Sequence, residues 1–140
     1  METTLVLIKP DAVRRQLMGQ IITHLENKGL LIIGAKLLTM DDHLAGMHYA
    51  EHVGKSFFPE LVDFITSGPL LALAVHGSRA VMVVRGLVGA TDPLQAAPGT
   101  IRGDWGLNRT RNLVHASDSS EAAEREIALF FRPEELFAPN

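Results

Sequence analysis

The chain has 140 residues, of which 46% are hydrophobic and 21% charged, and its net charge is −3 at pH 7. This balance predicts one soluble domain over residues 1–140 with a substantial core, and the negative charge disfavours a general binder of nucleic acid or membranes. Cysteine is absent, which excludes disulfides and thiolate metal sites. The apolar runs are too short to span a bilayer. Met1-Glu2-Thr3-Thr4 lacks the basic region of a signal peptide, so a cytoplasmic location is expected.

Proline and glycine divide the first part of the chain into segments with either strand-like or helical patterning. Three segments predict strands: residues 3–8, 30–38 and 70–75. Three others predict helices through their apolar stripes: residues 21–25, 44–49 and 61–65. The first strand ends at Lys9-Pro10-Asp11, because proline cannot donate a hydrogen bond within a sheet. Asp41 or Asp42 is expected to cap the second helix.

The second part of the chain is less uniform. Residues 78–88 fit both a strand and a helix, because their valines have strand propensity but also recur at helical spacing; we interpret them as a helix. Residues 89–111 are rich in proline, glycine and polar residues and predict a long loop, which in a compact domain is usually functional. A short strand leading to His115 and a helix over residues 121–130 complete the pattern.

The predicted order of elements is β-α-β-(α-α)-β-α-β-α. This order is typical of an α+β fold, and we predict a ferredoxin-like sandwich in which helices cover a four-stranded, mainly antiparallel sheet. No internal repeat, low-complexity segment or linker interrupts the sequence. A second domain is therefore not expected.

The stretch Asn112-Leu113-Val114-His115-Ala116-Ser117-Asp118-Ser119 is the best candidate for chemistry. It brings His115 to the end of a strand, and its last residues are typical of a helix start. In the helix that follows, Glu126 has apolar neighbours, so this carboxylate needs a partner or a raised pKa. A helix that folds back over its own strand brings Glu126 near His115. This pair either orients a reactive imidazole or only supports a turn, and the pattern alone leaves both open.

Cationic and hydroxyl side chains gather around the long loop. They are Arg85, Arg102, Arg109, Arg111, Thr91, Thr100 and Asn112. A guanidinium suits phosphate oxygens, and hydroxyls and amides complete such a site. Each arginine by itself is more often a solvated surface charge, and Arg85 would also favour a helix C-terminus. Four arginines flanking one histidine in an acidic chain nevertheless indicate an anion site. No Gly-x-x-x-x-Gly-Lys-Ser/Thr loop is present, which excludes a P-loop enzyme.

Other candidates have simpler interpretations. Lys9 is unremarkable at the end of a strand, and Tyr49 is typical of a core aromatic with a wet hydroxyl. Phe57 is flanked by glycine, lysine and proline, which suggests a loop where the ring faces a ligand. His48 and His52 have the i, i+4 spacing of a metal pair. No third ligand is evident, so we interpret both as part of a polar helix face and predict no protein-bound metal.

Several motifs follow one another along the chain: Leu7-Ile8-Lys9-Pro10-Asp11, Lys55-Ser56-Phe57-Phe58, Ser67-Gly68-Pro69, Gly89-Ala90-Thr91-Asp92-Pro93, Pro98-Gly99-Thr100-Ile101-Arg102-Gly103-Asp104 and the stretch from Asn112 to Ser119. Through these motifs the sequence resembles nucleoside diphosphate kinases over essentially its whole length. The resemblance implies ping-pong phosphate transfer that maintains nucleoside triphosphate pools. A nucleoside triphosphate, typically ATP, gives its γ-phosphate to the ring nitrogen of His115 nearer the backbone, and a nucleoside diphosphate then takes it.

The resemblance also implies roles for individual residues. Glu126 and Ser117 match the residues that orient the imidazole, and Phe57 matches the ring that stacks on the base. Residues matching phosphate and ribose contacts are Lys9, Tyr49, Arg85, Thr91, Arg102 and Asn112. Magnesium is expected to bridge the nucleotide phosphates, with Asp118 reaching it through water. The expected partners are nucleoside tri- and diphosphates and further copies of the chain, in a tetramer or hexamer built from dimers.

Four positions depart from the family's usual pattern: Ala116 replaces glycine, Asp92 asparagine, Trp105 phenylalanine or tyrosine, and Arg109 a small apolar residue. Ala116 adds strain only if its backbone needs a positive φ. The guanidinium of Arg109 is expected to lie over the base or to reach solvent.

Two alternatives compete with a catalytic member of this family. One is an α+β module that binds single-stranded RNA, and the other is a degenerate family member with a structural or regulatory role. The acidic balance, the aromatic content of only 6% and the lack of an RNA-binding sheet motif disfavour the first. The second is disfavoured because every motif residue is present.

Overall fold

In the computed structural model, which describes residues 1–139, four strands form one sheet. The strands are β1 (Glu2–Ile8), β2 (Leu31–Leu38), β3 (Leu70–Gly77) and β4 (Val114–Ala116). They lie in the order β2-β3-β1-β4, and each neighbouring pair is antiparallel. The predicted α+β fold, a ferredoxin-like sandwich with a four-stranded antiparallel sheet, is confirmed.

Seven α-helices surround this sheet in the described part of the chain. They are α1 (Pro10–Arg14), α2 (Met18–Asn27), α3 (Asp42–His48), α4 (Phe58–Ile65), α5 (Ala80–Val88), α6 (Ile101–Trp105) and α7 (Ser120–Phe130). Short 3-10 turns cover Ala50–His52, Pro93–Gln95 and Pro133–Glu135. Over residues 1–139, none of the helices has the length and apolar character needed to cross a membrane.

Strand β1 is buried on both faces because helices cover both sides of the sheet. Val6 and Ile8 pack in a cluster with residues of α2 and α5, whereas Leu5 and Leu7 pack on the opposite face with residues of α3, α4 and α7. This division follows from the alternation of side chains along a strand. A strand enclosed on both faces needs an uninterrupted apolar run, as seen here. The short β4 is therefore attached to a strand that is enclosed on both faces.

The ambiguous segment at residues 78–88 is helical from Ala80 onward. Val81, Val84 and Val88 are buried, whereas Met82 is 66% exposed. The strand propensity of valine is overridden because a helix places this whole stripe against the sheet. Tertiary packing, not local preference, selects the helix.

The prediction of an unbroken loop over residues 89–111 is wrong, because α6 and a 3-10 turn lie within it. The side chain of Thr100 caps α6 by accepting a hydrogen bond from the backbone N–H of Gly103 at 3.0 Å. A Cβ atom on Gly103 would lie 2.0 Å from the carbonyl oxygen of Ala97, so only glycine permits this close approach. A helix of five residues is too short to leave a helical period in the sequence.

Candidate active site

His115 lies in the middle of β4, at one edge of the sheet. It pairs with Leu7 of β1, so its side chain projects from the face that α3 and α7 cover. The side chain of His115 is 23% exposed. The short strand thus presents an imidazole at the boundary between the core and solvent.

Glu126 holds this imidazole from α7. Nε2 of His115 donates to Oε1 of Glu126 at 2.8 Å, and Oγ of Ser117 donates to the same oxygen at 2.7 Å. The backbone N–H of Leu5 donates to Oγ of Ser117 at 3.3 Å, which ties the arrangement to β1. Because the proton of the neutral imidazole lies on Nε2, its lone pair lies on Nδ1. The predicted contact between Glu126 and His115 is present.

Glu126 remains ionised although its side chain is almost completely buried. Burial raises the pKa of Glu126. The hydrogen bond from His115, the positive charge that His115 carries when protonated, and the hydrogen bond from Ser117 together outweigh burial and keep the pKa below its ordinary value. The sequence predicted that this carboxylate has either a partner or a raised pKa. The structure shows the partner, His115, and the pKa is not raised. A charged acceptor forms stronger hydrogen bonds than a neutral one.

Lys9 and Asn112 form a buried polar bridge next to the histidine strand. Nζ of Lys9 donates to Oδ1 of Asn112 at 2.8 Å, and Nδ2 of Asn112 donates to the carbonyl oxygen of Thr91 at 2.9 Å. Burial, with a smaller contribution from the charge of Arg102, lowers the pKa of Lys9 to about 8. Lys9 is therefore not the unremarkable lysine that the sequence predicted, because β1 ends inside the site.

Arg102 is also buried, so the alternative of a solvated surface charge does not hold for this arginine. Its guanidinium donates to the carbonyl oxygens of Gly89 at 3.1 Å, Asn112 at 3.2 Å and Val114 at 2.6 Å. Burial, and secondarily the charge of Arg85, lowers the pKa of Arg102 to about 10. Arg102 therefore fixes the strand that carries His115 and adds positive charge close to it.

The other three arginines occupy different environments. Nη1 of Arg85 donates to the carbonyl oxygen of Ala116 at 3.1 Å, and its exposed side chain lines a surface cavity with Asp118. Arg109 and Arg111 line another cavity. Nε of Arg109 lies 3.5 Å from Oδ2 of Asp92, and its side chain is 77% exposed. Of the four predicted arginines, Arg85 and Arg102 therefore bond to β4, whereas Arg109 and Arg111 line a separate cavity.

The two aromatic candidates, Tyr49 and Phe57, each lie next to the end of a helix. Tyr49 follows α3 and is half-buried; burial raises the pKa of its hydroxyl to about 12. Phe57 precedes α4 and is 45% exposed, with the ring of His52 5.3 Å away and Nζ of Lys55 5.8 Å from its centroid. The ring of Phe57 is therefore open to a ligand from solvent.

His48 does not belong to a polar helix face, and that interpretation of its side chain is wrong. The residue is 4% exposed, and its ring packs edge-on against His115 with a centroid distance of 4.6 Å. Burial, followed by the charge of His115, lowers the pKa of His48 to about 3, so this ring stays neutral. The sequence held a signal for this burial: Leu44 and Ala45 precede His48 by four and three residues and share its face of α3.

Backbone strain immediately precedes the histidine strand. Leu113 has a φ of 75°, in a region that bulky side chains avoid. Its N–H donates to Oδ2 of Asp11 at 3.2 Å, and its carbonyl oxygen accepts from the N–H of Lys9 at 2.8 Å. Ala116, by contrast, lies within β4 and has no positive φ. Alanine in place of the family's usual glycine therefore adds no strain.

Comparison with known proteins gives one consistent result. The family model described as Nucleoside diphosphate kinase matches residues 2–136. Nucleoside diphosphate kinase from Thermobifida fusca is 59% identical and spans 94% of this chain and 97% of its own length. The enzyme of that name from Archaeoglobus fulgidus is 57% identical, over 97% of this chain and 90% of its own.

Solved structures agree with the sequence matches. A nucleoside diphosphate kinase family protein from Babesia bovis superimposes with a TM-score of 0.97 at 45% identity, covering 100% of this chain and 95% of its own. A halophilic nucleoside diphosphate kinase from Halobacterium salinarum, solved in complex with CDP, has a TM-score of 0.97 at 52% identity, over 99% and 93% of the two chains.

Agreement of this extent in both sequence and fold defines an enzyme that transfers phosphate between nucleotides. The chain belongs to the nucleoside diphosphate kinase family. It is accordingly a nucleotide-binding transferase that acts between nucleoside triphosphates and nucleoside diphosphates.

Proposed function

We propose that this kinase works by a ping-pong mechanism through a phosphohistidine on His115 and thereby maintains nucleoside triphosphate pools. The observation that carries the proposal is the hydrogen bond of 2.8 Å between Nε2 of His115 and Oε1 of Glu126. This bond fixes the proton on Nε2 and leaves the lone pair of Nδ1 free to attack. A neutral, oriented imidazole is a competent nucleophile at neutral pH.

In the first half-reaction, Nδ1 forms a bond to the γ-phosphorus of a nucleoside triphosphate, typically ATP, while the bond from that phosphorus to the bridging β-phosphate oxygen breaks. The nucleoside diphosphate leaves with the electron pair of that bond. The imidazole gains positive charge because it keeps its Nε2 proton, and the carboxylate of Glu126 stabilises that charge. In the second half-reaction, a terminal phosphate oxygen of another nucleoside diphosphate attacks the phosphohistidine, and Nδ1 recovers its lone pair.

Positioning and charge supply most of the catalysis of phosphoryl transfer. We assign phosphate and ribose contacts to Lys9, Tyr49, Arg85, Thr91, Arg102 and Asn112. The buried ammonium of Lys9 and the exposed guanidinium of Arg85 support this assignment. Three N–H groups of Arg102 already bond to carbonyl oxygens, so it acts chiefly by fixing β4 and adding charge. Phe57 provides an exposed ring for stacking, which tolerates every base.

The residues at the site suit a magnesium ion carried by the nucleotide rather than one held by the protein alone. Asp118 is an exposed carboxylate that shares a cavity with Arg85. Magnesium usually binds through one or two carboxylates, water and substrate phosphates, so an exposed carboxylate at this position fits. When bound, the ion neutralises charge on the phosphates. Asp118 would hold it through water.

We also propose that residues 1–140 act as one domain, that the chain is cytoplasmic, and that it forms a tetramer or hexamer built from dimers. The edge strand supports self-association. Among the described residues β2 pairs only with β3, and Leu31 and Leu37 on β2 are 48% and 60% exposed. The backbone N–H of Phe137 donates to the carbonyl oxygen of Ile33 at 2.8 Å, so one position of β2 is already bonded. Edge strands with exposed apolar side chains readily join other chains. Light scattering of the purified protein measures the assembly.

The proposed mechanism is tested by the fate of labelled phosphate. Wild-type protein incubated with γ-labelled ATP is expected to acquire a label that is acid-labile and base-stable, as phosphohistidine is. Peptide mass spectrometry under alkaline conditions is expected to locate the phosphate on His115. The labelled protein should then pass its phosphate to an added nucleoside diphosphate. Transfer that proceeds without any labelled protein would overturn the ping-pong proposal.

The nucleotide-binding step is expected to weaken as pH rises through about 8, because Lys9 has a pKa of about 8 and loses its charge there. The kcat/KM for the nucleotide reports groups of the free enzyme and should decline above this pH. The charge of Asp11 raises the pKa of Lys9, so Asp11→Asn should shift the decline to lower pH. Lys36→Arg, which changes a lysine paired with Glu135 away from the site, should leave the profile unchanged. A decline unaffected by Asp11→Asn contradicts the assignment to Lys9.

A further inference from the structure

His48 has a buried side chain with no hydrogen-bonding partner. Both Nδ1 and Nε2 are buried, and neither makes a hydrogen bond within residues 1–139. The ring lies between Tyr49, His115 and Phe130, with centroid distances of 4.7, 4.6 and 5.7 Å. A buried polar group without a partner destabilises the folded state. The phosphotransfer mechanism uses neither nitrogen, so this residue is available for another interaction.

The surroundings of His48 contain two further metal-ligating groups. One ring nitrogen of His48, one of His115 and a carboxylate oxygen of Glu126 all lie within 4.8 Å of one another. They come from α3, β4 and α7, three elements that converge on one face of the sheet. Two imidazoles and one carboxylate form a donor set that binds zinc in enzymes, with the fourth position left open. Magnesium prefers oxygen ligands and is not expected to compete for such a set.

We propose that His48, His115 and Glu126 form an inhibitory site for a transition-metal cation of the Zn²⁺ class. Zinc bonds to nitrogen and oxygen of about 2.0–2.2 Å place tetrahedral ligand atoms about 3.3 Å apart. Ligand atoms that now lie up to 4.8 Å apart must therefore move closer together. The nitrogen of His115 and the oxygen of Glu126, now 2.8 Å apart, must separate slightly. The exposure of His115 provides the path from solvent.

Zinc is expected to inhibit phosphorylation of His115 by changing which ring nitrogen carries the proton. This step rests on the proposed phosphohistidine function. In the metal-free protein Nε2 carries the proton and donates it to Glu126. A zinc ion on Nε2 needs the lone pair of that nitrogen, so the proton moves by way of solvent to Nδ1. The ring stays neutral, and no proton is gained or lost. Nδ1 then has no lone pair with which to attack the γ-phosphorus.

The local charges set the strength of this site. Glu126 supplies one negative charge, which favours a cation. The positive charges of Lys9 and Arg125 disfavour cation binding. Both charges act on His48, and Nη2 of Arg125 lies 3.7 Å from Oε2 of Glu126. We therefore expect reversible binding that chelators reverse, rather than a permanently bound metal. Loss of outer-shell partners alone weakens metal sites about 10–100-fold, so His48→Gln should weaken binding by at least about tenfold.

The test measures metal binding to the full chain without nucleotide, by equilibrium dialysis with Zn²⁺ and by the visible absorption of tetrahedral Co²⁺. Wild type should bind one ion per chain. His43→Gln, which replaces an exposed histidine of the same helix, should bind like wild type, and His48→Gln should bind at least about tenfold more weakly. Nitrogen NMR of wild type should show Zn²⁺ perturbing the ring signals of His48 and His115. This measurement tests the site even if His48→Gln fails to fold.

A parallel labelling experiment tests inhibition. Zn²⁺ in the presence of excess Mg²⁺ should slow phosphohistidine formation in wild type and in His43→Gln, with a much smaller effect in His48→Gln. Equal inhibition of all three proteins would place the zinc on the nucleotide and overturn the proposal. Unperturbed ring signals of His48 would overturn it too. Metal binding is measured without nucleotide, so its failure is distinguishable from a failure of the phosphohistidine mechanism.

Discussion

Replacement of His115 by alanine is expected to remove the phosphorylated intermediate and to lower the rate of phosphate exchange by about 10⁴-fold or more, the scale seen when a nucleophile is deleted. In β4, Nε2 of His115 bonds to the carboxylate of Glu126, which leaves the lone pair on Nδ1 as the nucleophile. No nitrogen remains at that position in the variant. The measurement is the incorporation of labelled γ-phosphate, followed by the steady-state exchange rate.

The result must be separated from a loss of folding. Alanine leaves the buried carboxylate of Glu126 with Ser117 as its remaining close donor, so His115→Ala should also unfold at a lower temperature than wild type. His115→Gln keeps an amide that can donate to this carboxylate and should recover part of the stability without recovering the label. His43→Ala, at an exposed position, is the matched control and should retain both. Normal labelling of a folded His115→Gln protein would assign the phosphate to another residue.

The sequence predicted the fold where an element is long and its ends are marked by proline, glycine or a capping residue. Strands β1 and β3 contain continuous apolar runs next to proline or glycine, and helix α7 has an apolar stripe that begins after the capping residue Ser119. Helices α1 and α6 have five residues each, fewer than two helical turns, so no period emerges. For α5 the valines favour a strand locally. The segment is a helix because one side of it is buried against the sheet, and local propensity does not report this burial.

The same distinction applies to the candidate site. The contact between His115 and Glu126 was predictable because both residues lie in one strand–helix unit, 11 positions apart. The bond between Lys9 and Asn112 joins residues 103 positions apart, and no local pattern reports such a contact. The motif resemblance supplied both residues, but not the burial that lowers the pKa of Lys9. The burial of His48 had a local signal in Leu44 and Ala45, but its contact with His115 joins two elements far apart in the chain and had none.

Replacement of Glu126 by glutamine is expected to slow phosphohistidine formation by about 10²-fold while leaving the site assembled. The amide oxygen still accepts the Nε2 proton of His115 and the hydroxyl proton of Ser117, so the geometry of both hydrogen bonds is retained. What is lost is the negative charge that stabilises the ring as Nδ1 bonds to phosphorus. Rapid-mixing measurement of the first turnover isolates this step from product release. Glu124→Gln, on an exposed position of the same helix, should leave the rate unchanged.

The acid unfolding of the two variants provides an independent readout of the same charge. The pKa of Glu126 in the folded protein lies below its ordinary value of 4.5. Its ionised form therefore contributes stability above that ordinary value, and the contribution is lost as pH decreases through the lower folded value. Glu126→Gln has no such group, so its stability should depend less steeply on pH in this range than that of wild type or Glu124→Gln. A slowed first turnover together with this flatter profile would identify the charge of Glu126 as the source of both effects. A first turnover as fast as that of Glu124→Gln would show that the carboxylate only supports the fold.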